Sequence, residues 1–96
     1  MKRNNAISVG EAIRKALREQ GLETPLNQQR LMSAWPQIVG EGIANYTSDL
    51  FIKNQTLYMH VSSSALRQEL MMARKQLVRS LNKVVGAQII CDIQFR

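Results

Sequence analysis

This sequence has few of the side chains that form disulfides or hold metals. Its 96 residues include one cysteine, Cys91, and one histidine, His60. A single cysteine cannot close an intrachain disulfide, and one Cys with one His cannot supply the four ligands of a structural zinc site. The composition therefore excludes a disulfide-stapled scaffold and a zinc finger, and we expect no metal and no cofactor.

Long apolar runs are absent too. The N-terminal stretch MKRNNAISVGEAIRK starts with basic residues, but neither it nor any later segment has an apolar run long enough for a signal peptide or a transmembrane helix. We therefore expect a cytoplasmic protein, associated with the nucleoid if it binds DNA. We expect no membrane partner.

Acidic residues are scarce relative to basic ones. Thirteen Lys and Arg against seven Asp and Glu give a formal net charge of +6. A cationic surface attracts polyanions, because each neutralised phosphate releases condensed counterions. Charge alone does not distinguish a nucleic-acid-binding protein from a protein that is merely basic.

What the chain does contain is typical of a folded protein. Its hydrophobic fraction is 45 %, without low-complexity segments. Ninety-six residues can bury a modest core but cannot hold a catalytic and a regulatory domain. We predict one domain over residues 1–96, with residues 1–7 flexible.

The first half of the chain has the apolar spacing of helices. A capping box of the form Ser-x-x-Glu predicts a helix that begins at Val9, and Gly21 predicts its end. A second helix is predicted from Thr24 to Trp35. Pro36 is expected to kink or break it, with a further turn or two afterwards.

The hydrophobic period then changes to that of strands. The runs Asp49–Lys53 and Thr56–Val61 flank Asn54 and Gln55, which predicts a β-hairpin. The second run alternates, with Leu57, Met59 and Val61 on one face and Tyr58 and His60 on the other. One face of this hairpin is therefore expected to pack on a core.

A long helix and a last strand follow. Three serines before Ala65 are possible caps, and Gly86 closes an apolar stripe at helical spacing: Leu66, Leu70, Ala73, Leu77, Leu81 and Val84. The segment from Gln88 to Phe95 alternates again, with Ile89, Cys91, Ile93 and Phe95 on one side. The order helix, helix, strand, strand, helix, strand predicts an α+β fold with a three-stranded sheet and helices on one face.

The long helix carries a basic row opposite its apolar stripe. Lys75, Arg79 and Lys83 recur at every fourth residue, so they share one face. A merely solvated face would interleave acids, but between Ser62 and Gly86 only Glu69 is acidic. We predict that the row contacts phosphate, with Arg67 and Arg74 as further candidates. Those two lie at the edge of the stripe, where their stems also cover apolar surface.

The sequence has few side chains that could form a catalytic site. His60 is expected on a strand, and Cys91 is interpreted as a small core residue. No phosphate-binding loop or metal-ligand spacing is present. The glycines of Gly40-Glu41-Gly42 are interpreted as chain-reversal residues, because the acid between them would repel phosphate. We predict no catalytic residues, no metal site and no small-molecule substrate.

A partner surface is a further hypothesis. Trp35, Met71 and Met72 are large apolar side chains that would form a contact patch if exposed. Packing into the core is the default interpretation for the tryptophan.

Several short motifs together resemble one known family. They are Trp35-Pro-Gln-Ile-Val-Gly40, Ile43-Ala44, Thr47, Leu57-Tyr-Met-His-Val-Ser-Ser63, Leu66, Gln68-Glu-Leu70, Leu81-Asn82, Gly86 and Ile93-Gln-Phe-Arg96. In combination they are similar to the DciA family, long described as a domain of unknown function. The resemblance runs from about Ser8 to Arg96.

The resemblance implies a K-homology-like domain that binds DNA and assists loading of the bacterial replicative helicase DnaB, without enzymatic activity. Many members carry a flexible C-terminal extension after the domain, and this sequence departs from them, so we expect a short form of the family. DNA contact is expected to be electrostatic, with little sequence specificity. Two other hypotheses remain open: an adaptor or homodimer that binds no nucleic acid, and an RNA-binding K-homology-like module. The oligomeric state is open as well.

Overall fold

The computed structural model describes residues 8–19 and 23–96, so the predictions for residues 1–7 and Gly21 lie outside the described residues. The helices are α1 Val9–Glu19, α2 Glu23–Val39, α3 Glu41–Ala44, α4 Ser64–Met72 and α5 Arg74–Val85. The strands are β1 Thr47–Lys53, β2 Thr56–Val61 and β3 Asp92–Phe95. The predicted α+β class and the order of helices and strands are confirmed. The K-homology-like topology and the single domain stay predictions.

The first helix follows its sequence signal, whereas the second departs from its prediction, because α2 begins at Glu23, before the predicted cap Thr24, and Pro36 does not break it. α1 begins after the predicted capping box, in which the Glu11 amide donates to Ser8 Oγ at 3.1 Å. α2 continues past Pro36 for one further turn and closes when the Gly40 amide donates to the Pro36 carbonyl at 2.8 Å. Gly40 has φ 90°, a conformation that favours glycine, and there the chain turns into α3.

The hairpin forms as predicted and is tightly turned. Asn54 and Gln55 have φ 52° and 59°, as a two-residue type I′ turn requires. β1 and β2 pair antiparallel, with Phe51 opposite Tyr58. The register shifts between Ser48 and Phe51, where a β-bulge interrupts the pairing.

The sheet order is β1-β2-β3, and the third strand is reached by a crossover. β3 pairs parallel with β2, as expected for a strand that returns through helices. The predicted single long helix is two helices, α4 and α5. They meet at Ala73, whose φ of −94° and ψ of 6° depart from helical values.

The prediction for the last strand is partly wrong. β3 starts only at Asp92, because the Asn82 side chain holds the backbone of Ile89 and Ile90 outside the sheet ladder. Ile90 is fully buried, whereas Cys91, interpreted as a core residue, is exposed. Only Ile93 and Phe95 of the predicted apolar face are buried.

The core lies between the helices and the inner face of the sheet. It contains Leu31, Ala34, Trp35, Leu57, Met59, Val61, Leu70, Leu81, Val85, Ile90, Ile93 and Phe95. On α5 the predicted stripe is wrong at its end, since Val84 is 48 % exposed and Val85 is 8 % exposed. Each valine continues the spacing from Leu81, and tertiary packing selects Val85 for the core, whereas Val84 borders a surface depression together with Ser33 and Gln37 of α2.

Candidate nucleic-acid interface

The basic row lies on α5, facing away from the core. Lys75, Arg79 and Lys83 are all exposed, and they follow one another about 6 Å apart along the helix axis. Leu81 and Val85 on the opposite side are buried, and α5 packs on α2. Gly86, in the left-handed conformation with φ 81°, ends the helix after the row.

The row forms no ion pair with a described acid. Among the residues whose side chains the structure describes, no carboxylate lies within 4 Å of Lys75, Arg79 or Lys83. Lys83 also lies in the last turn of α5, where a cation is favoured by the helix dipole. The three cations are therefore available to an anionic partner.

The other two basic candidates are engaged within the protein. Arg67 donates from Nη2 to the Val61 carbonyl at 2.9 Å, which ties α4 to the end of β2. Arg74 Nε lies 3.2 Å from Asp92 Oδ1 and pairs the start of α5 with β3. Both side chains are half-buried, so they offer an anion less free charge than the row does.

The proposed partner patch is divided between core and surface. Trp35 is 1 % exposed and lies in the core, which contradicts its assignment to a surface. Met71 and Met72 are 47 % and 83 % exposed at the end of α4. Met71 borders a shallow depression that Arg67 and Gln68 also line.

The outer face of the sheet carries a second group of residues, which sequence reasoning missed. Phe51 on β1 and Tyr58 on β2 stack with their ring centroids 4.8 Å apart and their planes at 9°. The Arg96 guanidinium carbon lies 5.7 Å and 5.3 Å from the two centroids. The two-residue hairpin turn could have revealed this pair, because it fixes the strand register and so places Phe51 opposite Tyr58.

Among the described residues, the side chains considered for catalysis lie apart from one another. His60 is exposed on the strand, Cys91 Sγ lies 3.1 Å from Gln55 Oε1, and the carboxylate of the neighbouring Asp92 is paired with Arg74. Within residues 8–19 and 23–96, no group of three metal-ligating side chains comes together. In the same part of the chain, each helix is too short or too polar to cross a membrane.

The motif residues behind the family resemblance are structural in this fold. The Trp35 indole donates to Thr47 Oγ1 at 3.0 Å, and that hydroxyl donates to the Ala44 carbonyl at 2.8 Å. Ser63 caps α4 by accepting from the Leu66 amide at 3.2 Å. The first two contacts join α2, β1 and the end of α3, and the third caps α4, so the motifs mark the fold and not the basic row.

Comparison with known proteins identifies one family, which is the family that the sequence motifs resemble. The family model described as "Dna[CI] antecedent, DciA" matches residues 8–95. A curated UPF0232 protein of Streptomyces avermitilis is 35 % identical over 86 residues, covering 83 % of this chain and 45 % of the relative. One from Corynebacterium glutamicum is 27 % identical over 89 residues, covering 93 % of this chain and 50 % of the relative. The chain thus spans about half the length of the curated relatives it matches.

Proposed function

The chain belongs to the DciA family, and from that premise we propose that it is a non-enzymatic, DNA-binding accessory protein of DNA replication that assists loading of the replicative helicase DnaB. Membership supports a role connected with replication. The DNA contact and the helicase contact are the finer parts of the proposal, and each has its own experiment.

The row on α5 is the observation that carries the DNA contact. Lys75, Arg79 and Lys83 are exposed, evenly spaced and unpaired with any described acid. Long cationic side chains on a rigid helix suit phosphates of either strand type and do not read bases. The predicted binding is therefore strong at low salt and has little sequence specificity.

Charge reversal tests the DNA contact. The triple variant Lys75→Glu/Arg79→Glu/Lys83→Glu is expected to abolish DNA binding, since it replaces three attractions by three repulsions. In wild type, each of the three phosphate contacts adds about 0.9 to the salt slope of duplex binding and about 0.7 for a single strand. Fluorescence anisotropy over a salt series measures both quantities.

A matched control separates this surface from net charge. Arg79→Glu/Lys83→Glu and Arg14→Glu/Lys15→Glu change the net charge equally, and all four positions are exposed. Arg14 and Lys15 lie on α1, a different helix from the one that carries the row. Only the α5 pair is expected to lower the affinity strongly; equal losses in the two variants would mean that DNA responds to total charge and not to the row.

The helicase contact is assigned to the exposed methionines Met71 and Met72. Unbranched, polarisable Met side chains adapt to irregular partner surfaces, and these two are adjacent at the end of α4. Met71→Ser/Met72→Ser is expected to reduce co-purification with the cognate DnaB while leaving DNA affinity unchanged. If wild type fails to retain cognate DnaB, the loading role is wrong.

The free edge of the sheet gives less support to the adaptor or homodimer hypothesis than to DNA binding. The free edge of β1 is interrupted by the bulge after Ser48, and Asp49 there has φ 56°. Bulges and charges on an edge strand oppose pairing with another chain. A titration with single-stranded DNA, duplex DNA and RNA, combined with light scattering, separates the DNA, RNA and adaptor hypotheses.

A further inference from the structure

We infer that the outer face of the sheet binds single-stranded DNA by stacking an unpaired base on the ring of Phe51. This inference rests on the proposed DNA-binding function and adds a second contact, for bases, to the phosphate contact of α5. The residues concerned are Phe51, Tyr58, Arg96 and Lys53, which we call the stacking face.

Phe51 offers an open ring surface. One side of its ring lies against Tyr58 in a nearly parallel stack. β1 is an edge strand of the sheet, so no described strand covers the other side, and Phe51 is 42 % exposed. An exposed aromatic ring in this position is a surface on which a nucleic-acid base can continue the stack.

The rings are held in place before any ligand arrives. The antiparallel register fixes Phe51 opposite Tyr58. Arg96 is fixed by backbone hydrogen bonds, because its amide donates to the Met59 carbonyl at 2.9 Å and its carbonyl accepts from the Val61 amide at 2.6 Å. Its guanidinium then lies against both rings. A pre-ordered site loses little conformational entropy on binding.

The charge of this face fits a nucleic-acid strand. Arg96 and Lys53 are exposed cations, and Lys53 follows Phe51 on the same side of β1. Of the nearby acids, Asp92 is paired with Arg74, and Asp49 lies in the bulge. Rings flanked by cations combine base stacking with attraction of phosphate, the two elements of single-strand binding.

A single strand fits better than a duplex. The bases of a duplex are already stacked on each other, so a protein ring reaches a base face only where the strand is unpaired. A helicase is placed on single-stranded DNA, so an unpaired DNA strand is the form that the proposed function would present to this face.

An abasic strand provides the sharpest test. Wild type and Phe51→Ala are titrated with oligothymidylate and with an abasic strand of equal length, which keeps the phosphates and lacks the bases. Wild type is expected to bind oligothymidylate about 5- to 140-fold more tightly than Phe51→Ala does, the range for one base-aromatic stack. On the abasic strand the two proteins are expected to bind equally, since there is no base to stack.

One control variant keeps the charge constant, and a second variant tests the cation of the stacking face. Ile13→Ala removes an apolar side chain that is 55 % exposed on α1 and is expected to leave both affinities unchanged. Arg96→Gln keeps both rings and the backbone bonds of β3, and it is expected to weaken oligothymidylate binding several-fold. Unfolding curves of all variants confirm that each is folded at the assay temperature.

Each result decides between the two proposals. If Phe51→Ala binds oligothymidylate as wild type does, while charge reversal on α5 abolishes binding, the stacking face is wrong and the proposed function stands. An equal loss of duplex affinity in Phe51→Ala, or tighter binding of the matching RNA strand, also overturns this inference. Wild type that binds neither single-stranded nor duplex DNA removes the proposed DNA contact itself.

Discussion

The outer face of α5 and the outer face of the sheet present two different kinds of surface. On α5, Lys75, Arg79 and Lys83 are long, flexible and separated by one helical turn. On the sheet, Phe51 and Tyr58 are rigid rings in contact, with Arg96 placed against them. The first surface is a row of flexible cations, and the second is a pair of ordered aromatic rings with a cation beside them.

If the protein binds DNA as proposed, the difference predicts that α5 contacts phosphates and that the sheet contacts bases. Mobile cations give affinity that falls steeply with salt and does not depend on whether the strand is paired. Stacked rings add affinity that depends on exposed bases, because a ring stacks on the face of an unpaired base. A protein with both surfaces can hold DNA in general and favour single strands in particular.

The largest expected effect comes from the core on which both faces rest. Trp35→Ala removes a side chain that is 1 % exposed and its hydrogen bond to Thr47, which should lower the free energy of unfolding by about 3–5 kcal/mol. Met72→Ala, at 83 % exposure, should stay within about 0.5 kcal/mol of wild type. Urea unfolding measures both, and similar values for the two would mean that Trp35 is not a core residue.

A second, smaller effect should separate the two faces. Asn82→Ala removes three hydrogen bonds that hold Ile89 and Ile90 before β3, at a cost of about 2–3 kcal/mol of unfolding free energy. Because β3 positions Arg96, hydrogen exchange should accelerate at the Val61 amide, which bonds to the Arg96 carbonyl.

In Asn82→Ala, the α5 amides should be protected from hydrogen exchange as they are in wild type. Asn45→Ala, at an exposed turn position, serves as the control variant. Uniform loss of protection over α5 and the sheet would show that the two faces are not independent. Oligothymidylate affinity should fall in Asn82→Ala, whereas the salt slope contributed by α5 should be retained.

The smallest effect compares two arginines on α5. Arg79 is unpaired with any described acid, whereas Arg74 is paired with Asp92, and each partner is more than a third exposed. Arg79→Gln should lower the salt slope of duplex binding by about 0.9, and Arg74→Gln by less. Anisotropy titrations check this order, which would be reversed if the Asp92 pair opened on DNA binding. Arg74→Gln should destabilise the fold by less than about 1 kcal/mol.

Much of the fold was predictable where the signal was local. The capping box set the start of α1, and the Asn54-Gln55 turn set the hairpin register. The spacing of Lys75, Arg79 and Lys83 placed them on one exposed helix face, because backbone hydrogen bonds fix the helical period within a few residues.

The errors fall where distant parts of the chain meet. The break at Ala73 and the late start of β3 do not follow from local periodicity. Cys91 alternated with Ile89 and Ile93, yet Asn82 diverts the chain before β3 and leaves the cysteine exposed. The stacking face was missed because it needs three strands in register.

The sequence by itself determined the positive charge, the helix and hairpin signals and the family motifs, since each depends on composition or on neighbours a few residues apart. The tertiary structure decided that Val85 and not Val84 is buried in the core, and that Arg96 lies against Phe51 and Tyr58. Such contacts join residues far apart in the chain. They are settled only when the competing ways to bury apolar surface and satisfy backbone hydrogen bonds are resolved together.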